Sequence, residues 1–251
     1  MNELKISAVS YLNTFPFVYG IRRSGFLKDY RLDLDIPSLC AEKLKNGVVD
    51  VALIPVGALT DLGSYDFVTD FCIGAVNTVK TVLLLSHKPV HQIQTIGLDY
   101  DSRTSVKLVK VLAKHSWKIE PSYLNLLPGQ ALQDPGTDAI VAIGDKTFDL
   151  VKKYPYRYDL AEEWIKLTSL PFVFAAWVTT KKLAIPVQHT LNQALEYGVT
   201  HINETLEFFR DKLPANEDCK SYLEKNISYS FDKNKKEGLN LFLEFLRNSE
   251  F

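Results

Sequence analysis

Four short segments of this 251-residue chain carry the side chains and turn residues that could hold a small anion. The densest is Asp101-Ser102-Arg103-Thr104-Ser105, where hydroxyls, a guanidinium and the free N–H groups of a helix start converge. That combination suits a carboxylate. The other reading of the segment is a capped helix with a surface arginine. Thr104 and Ser105 are poor residues for a helix interior and weigh toward the anion site. Ser10-Tyr11-Leu12-Asn13 offers hydroxyls and an amide in a strand-to-helix turn, where Asn13 can instead cap the helix. Ile143-Gly144-Asp145 ends an apolar run: Gly144 lets the backbone approach a ligand, and Asp145 can cap the following helix. Ile54-Pro55-Val56-Gly57, taken by itself, is only a turn.

Other chemistries are excluded by what is missing. There is no Gly-x-Gly-x-x-Gly, no Gly-x-x-x-x-Gly-Lys-Ser/Thr and no Gly-x-Ser-x-Gly, so neither a nucleotide cofactor nor serine-hydrolase chemistry is expected. The 5 histidines form no His-Glu-x-x-His pattern, and Pro89 breaks the helical spacing of His87 and His91. Cys40, Cys72 and Cys219 are odd in number and far apart, which points to neither a zinc cage nor a disulfide framework. Cys40 and Cys72 read as small core residues. No metal and no cofactor is therefore expected. Lys+Arg 29 against Asp+Glu 30 gives a formal net charge of -1, too weak a field to attract a polyanion, so no nucleic-acid partner is expected. The basic run Lys233 to Lys236 reads as a solvated helix start. No stretch approaches the length of a membrane span. After Met1, Asn2, Glu3 and Lys5 only a short apolar run follows, without the apolar core of a secretory signal, so a cytoplasmic protein is expected.

The elements that must position these segments alternate between strand and helix. Leu4–Val9 reads as a strand leading into a helix from about Thr14 to near Gly25, with Pro16 in its first turn. Leu32, Leu34 and Ile36 alternate with polar residues as in a strand. Ser38 can cap a second helix that runs through Leu44 and stops at Gly47, and Asp50–Ile54 reads as a buried strand. This order implies parallel pairing with right-handed crossovers. Val79–Leu85 is the strongest strand signal. Thr95–Leu98, Tyr123–Leu127, Ala139–Ile143 and Phe172–Val178 are further strands, with a helix after Arg103 on which Val106, Val109 and Leu112 recur at helical spacing. Leu191–Leu195, Ile202–Leu213 and Lys235–Leu246 read as helices. The long strands at Val79–Leu85 and Phe172–Val178 divide the chain into a discontinuous first lobe, 1–86 with 179–251, and a middle lobe, 87–178. Two crossings between the lobes would make a hinge with a cleft for a small ligand. The four segments above fall at strand ends, where open α/β sheets bind ligands.

At these loops the sequence resembles the chorismate dehydratase family of the futalosine route to menaquinone. The similar blocks are Val9-Ser10-Tyr11-Leu12-Asn13-Thr14 with Pro16, Asp50 to Val56, Val79 to Ser86, Ser102 to Ser105, and Ile143-Gly144-Asp145. Tyr158-Asp159-Leu160 with Glu162-Glu163-Trp164, and Leu170 to Ala175, complete them. Together they cover Ser7 to Val178 in order. The resemblance implies an α/β, two-lobed, type II periplasmic-binding-protein-like fold, and a cofactor-independent hydro-lyase that removes water from chorismate to give 3-[(1-carboxyvinyl)oxy]benzoate. Asn13 matches the family's active-site asparagine. Thr81 lies where many members have serine, which keeps the hydroxyl and adds a methyl group. Val76-Asn77-Thr78-Val79-Lys80 departs from the usual Asp-Gly-Pro-Val-Arg. Ser10, Tyr11 and Pro55 are implied substrate-binding residues. So are Ser102, Arg103, Thr104 and Ser105, with Gly144, Asp145 and Phe172. The substrate's own enolpyruvyl carboxylate is the expected base, with Asp145 the competitor. A non-catalytic small-anion binder is one alternative. The sister 1,4-dihydroxy-6-naphthoate synthase is another, although it characteristically carries a histidine where this chain has Ile143-Gly144-Asp145.

Overall fold

In the computed structural model, residues 3–100, 102–128, 130, 136–215 and 217–248 are described. Met1, Asn2 and Asp101, which enter the sequence reading, lie outside them. The first strand, β1 (Leu4–Val9), runs parallel to β2 (Tyr30–Asp35) on one side and β3 (Val51–Pro55) on the other. The crossovers are helices α1 (Phe15–Arg23) and α2 (Pro37–Lys45), each with proline in its first positions, where a missing N–H breaks no helical bond. Pro37 starts α2 two residues ahead of expectation. Ser38 therefore falls inside the first turn, and the N-cap is Ile36, with no side-chain bond. Gly47 does close α2, at a φ of +68 that glycine adopts freely.

The first sheet has the order β11-β4-β10-β3-β1-β2, completed by β4 (Asp66–Ala75), β10 (Phe172–Thr179) and β11 (Ser228–Ser230). β10 lies antiparallel to β3, with Ala175 opposite Pro55. The second sheet has the order β7-β6-β8-β5-β9, from β5 (Val82–Ser86), β6 (Thr95–Leu98), β7 (Ser122–Asn125), β8 (Ala139–Ile143) and β9 (Tyr156–Asp159). Every residue of β5 and β8 is buried, which is why both read as unbroken apolar runs. Helices α3 (Thr104–Leu112), α4 (Thr147–Leu150) and α5 (Leu160–Thr168) follow strands of this sheet. After β10 come α6 (Ile185–Thr200), α7 (Ile202–Phe208), the single turn α8 (Cys219–Ser221) and, beyond β11, α9 (Lys233–Arg247).

The chain divides into a first unit, 1–74 with 173–232, and a second unit, 75–172 with 233–251. The expected boundaries need correction in two places. β5 lies between β8 and β9 in the second sheet, not at the edge of the first lobe, and Val79 and Lys80 precede it outside the strand, Lys80 at a φ of 64. The last helix belongs to the second unit. Gly238 of α9 lies so close to the Pro171 carbonyl that no Cβ would fit. Phe242 meets the rings of Trp164 at 5.8 Å and Phe172 at 5.1 Å. Lys235, read as solvated, is 0% exposed because it shares the docked face of α9 with Gly238, Leu239 and Phe242, while Lys233, Asn234 and Lys236 beside it are exposed as expected. The chain thus passes between units three times, at 74/75, 172/173 and 232/233, rather than twice. Among the described residues, no helix is long and apolar enough to cross a membrane.

Two contacts fix α1 and α2 in the first unit. Gly20 of α1 and Gly198 of α6 face each other's backbone, and a Cβ at Gly198 would collide with the Pro16 carbonyl. On α2, the Lys43 ammonium donates to Asp33 at 2.9 Å and to both oxygens of Asp35 at 2.9 and 2.7 Å, while the Ser7 hydroxyl donates to Asp35 at 2.7 Å. The Lys43 hydrogen bond holds the Asp33 carboxyl below its ordinary 3.8.

Gly198→Ala is expected to lower stability by about 2–3 kcal/mol, because two backbones rather than flexible side chains must separate; a urea denaturation midpoint measures it. Asp33, being depressed, contributes stability that is present above its ordinary value and is lost as pH falls through the lower folded value. Lys43→Met removes the partner. Its stability should therefore decline less than that of the wild type on going from neutral pH to below about pH 4, while being lower by about 1 kcal/mol at neutrality. Chemical denaturation at both pH values tests this.

Candidate functional site

In the first unit the turn after β1 is built on its own backbone. The Ser10 N–H donates to the Asp35 carbonyl at 3.1 Å, which prolongs the pairing with β2 by one residue. The Thr14 N–H then closes a 3-10 turn onto the Tyr11 carbonyl at 2.9 Å, pinned beneath by Leu12 at 0% exposure. Asn13 sits in this turn and does not cap α1, whose N-cap is Thr14 with no side-chain bond. Two groups orient Asn13. The buried Thr14 hydroxyl donates to its Oδ1 at 3.1 Å, and the Tyr229 hydroxyl donates to its backbone carbonyl at 3.0 Å. With Oδ1 engaged, the amide N–H groups of Asn13 are what the turn offers a ligand. Tyr229 itself is buried, which pushes its phenol well above 10.0. Ser10 is exposed and Tyr11 half-buried on the same turn. Pro55 ends β3 on the same edge of the sheet, since β1 and β3 run parallel with Ser7 beside Ala52, and it is buried.

The second unit brings three segments to one end of its sheet. β6 and β8 are parallel, so Leu98 and Ile143 end together, and β5 is antiparallel, so its entry at Thr81 meets them. The Gly144 N–H donates to the Thr81 carbonyl at 2.9 Å, and Gly144 takes a φ of 72. Thr81 is 1% exposed. At the end of β6, Asp99 is almost wholly buried. Its Oδ2 accepts the Ile143 N–H at 3.3 Å and the Lys146 ammonium at 2.6 Å, which ties the β6 loop to the β8 loop. The Ser102 hydroxyl accepts the Ser105 N–H at 3.0 Å and so satisfies one free donor of α3. Ser102, Thr104 and Ser105 are all buried, whereas Arg103 between them is exposed. One turn therefore presents hydroxyls, helix N–H groups and a guanidinium, an arrangement suited to an anion.

Just ahead of Thr81, the Asp159 carboxylate accepts the N–H groups of Val79 at 2.9 Å and Lys80 at 2.7 Å through Oδ2. Its Oδ1 caps α5 through the N–H groups of Ala161 and Glu162, at 3.1 and 3.2 Å. Burial pushes the Asp159 carboxyl up, and the four N–H donors act against that.

One further expectation needs correction. Asp145 does not cap α4, whose N-cap is Lys146 with no side-chain bond; Asp145 stands half-buried beside Gly144. Phe172 is 1% exposed, its ring 5.3 Å from Trp164 and 5.1 Å from Phe242, in the aromatic core of the second unit. The sequence reading missed Asp99, Lys146 and Tyr229, and it quoted Asp159 only within a block. The signal at Asp99 was an acidic residue directly after a buried strand. Tyr229, in a three-residue strand, carried none. Among the described residues, no three His, Cys, Asp or Glu side chains gather in a group that could hold a metal ion.

A sequence profile described as "Menaquinone biosynthesis" matches residues 4–248. The chain belongs to the menaquinone biosynthesis family. A relative from Thermus thermophilus, named chorismate dehydratase, is 25% identical over 94% of this chain and 92% of its own length. A protein of Archaeoglobus fulgidus of known crystal structure superposes with a TM-score of 0.75 at 16% identity, covering 98% of this chain and 97% of that one. A Candida albicans gene product, described as exhibiting the generic periplasmic binding protein fold, does so at 0.65 and 15%, covering 98% and 95%. This family member therefore has the periplasmic-binding-protein fold.

Within it, the Asp99–Lys146 pair is expected to hold the two loops together. Asp99→Ala should lower the melting temperature, at a cost of about 2–3 kcal/mol, because it removes the acceptor that Lys146 and the Ile143 N–H share. Lys146→Met should cost at least as much, since the carboxylate that loses its counter-charge is the more deeply buried partner. Thermal unfolding of the two variants measures both.

Proposed function

We propose that this protein dehydrates chorismate to 3-[(1-carboxyvinyl)oxy]benzoate in menaquinone biosynthesis, in the cytoplasm and without a cofactor. The observation that carries the reading is the relative named chorismate dehydratase, matched over 94% of this chain. The turns described above support it chemically. Chorismate is a dicarboxylate, and the turns at Asn13 and at Ser102 to Ser105 carry hydrogen-bond donors.

In this reading Arg103 and the N–H groups near Ser102 and Thr104 hold a carboxylate, and the Asn13 amide and the Thr81 hydroxyl orient the substrate. The substrate's enolpyruvyl carboxylate takes the proton from ring C3, and the freed electron pair forms a ring double bond as the C4–O bond breaks. The departing hydroxide leaves as water with a proton delivered to it, and the ring becomes aromatic. Aromatisation drives the step, so the protein mainly orients the substrate and manages one proton and one hydroxyl. Asp145, half-buried beside Gly144, is the competing base.

Purified protein incubated with chorismate should yield the aromatic product, unaffected by chelators, with no nucleotide added. Binding without turnover would identify a small-anion binding protein instead. Arg103→Ala should weaken substrate binding roughly ten- to a hundredfold, the worth of a charge-assisted hydrogen bond. Asn13→Asp should abolish turnover while the fold survives, because it places a carboxylate where an anion needs a donor. Asp145→Asn should be mild. Complete loss of activity in a folded Asp145→Asn protein would move the base from substrate to protein.

A further inference from the structure

We infer that Asp159 is a positioning residue for turnover: through the backbone of Val79 and Lys80 it fixes where Thr81 is presented. The inference rests on the chorismate dehydratase reading and adds to it a residue that touches no substrate atom.

The geometry starts at Lys80. Its φ of 64 is left-handed, a conformation that a lysine does not hold by preference. Something must therefore impose it. Asp159 Oδ2 fixes the side of Lys80 toward Val79 by accepting two consecutive N–H groups, Val79 at 2.9 Å and Lys80 at 2.7 Å, so that the turn at Lys80 is set between this anchor and the one beyond it. The next residue is Thr81, and its carbonyl is fixed from the other side by the Gly144 N–H at 2.9 Å. Leu83 pairs with Asp159 in the β5–β9 ladder, so the clamp is seated on a rigid strand. Asp159 is only 8% exposed, and its other oxygen is spent on the start of α5. Each carboxylate oxygen thus has a separate task, one in the α5 cap and one in the Lys80 turn. When the second task fails, Lys80 relaxes toward negative φ and carries Thr81 with it.

Asp159→Asn separates the tasks. Asparagine is a good N-cap, so its Oδ1 keeps α5 and the fold. Its Nδ2 then faces the Val79 and Lys80 N–H groups, and donor meets donor. The expected result is a fall in kcat of about a hundredfold, as for a small misplacement of a reacting group. KM should change little, because Arg103 and the α3 turn are untouched. Adding Lys80→Gly should restore most of the lost kcat, because glycine enters the left-handed region without being held there. A cap or stability defect would not be rescued by a change at residue 80. An unchanged kcat in Asp159→Asn, or a loss that Lys80→Gly does not recover, overturns the positioning role while leaving the dehydratase reading intact. Wild-type protein that leaves chorismate unconverted overturns the dehydratase reading and the role in turnover with it.

Discussion

A buried carboxylate has to be met by donors, and much of the second unit's strand-end architecture follows from that requirement. Taking an ionised carboxyl out of water costs several kcal/mol unless hydrogen bonds and a counter-charge replace the lost hydration. Asp99 meets this with Ile143 and Lys146, and Asp159 meets it with four backbone N–H groups. In each case two donors come from a segment distant in sequence, so satisfying the charge also fixes one loop against another. Asp138 does the same at the opposite end of β8, where Gln94, Thr95 and Lys88 supply donors. Charge satisfaction thus ties these loops to one another across the end of the sheet.

That distinction separates what was legible in the sequence from what was not. β6 at Thr95–Leu98 and β8 at Ala139–Ile143 were read residue for residue, because a fully buried strand is a short apolar run bounded by turn residues. Gly47 and Pro16 were legible because each has a backbone constraint tied to its type. Val79 and Lys80 were misread as strand: they adjoin the apolar run of β5, and the distant Asp159 takes both of their N–H groups. Lys235 was misread because its burial depends on where α9 docks, and no local pattern encodes that. Of the candidate site, the loops were legible as strand ends, and the residues that hold them were not, since Tyr229 lies 216 positions from Asn13.

Family membership and fold are compatible with two kinds of protein, those that hold a small anion and those that change it. The fold frame is the same for both, because free N–H groups at strand ends and helix starts attract an anion either way. Here Tyr229 and Thr14 both act on Asn13, one on its carbonyl and one on its amide oxygen. Orientation at that level serves a reaction more than it serves retention, since binding tolerates a looser fit than a proton transfer does.

The three passages of the chain between units also govern the order in which the molecule can be made. The first sheet receives β1 to β4 early, yet β10, its central antiparallel strand, and β11 at its edge are synthesised only after the whole second sheet. The second sheet in turn waits for Phe242 to cover Trp164 and Phe172. Neither core can close on the ribosome while the nascent chain is still growing through these residues. Both must be completed at nearly the same moment, from segments far apart in sequence, and such pairings are slow to form. Until then the first sheet waits incomplete and the second waits with Trp164 and Phe172 uncovered, and a cell making this protein has to shield both from neighbouring chains.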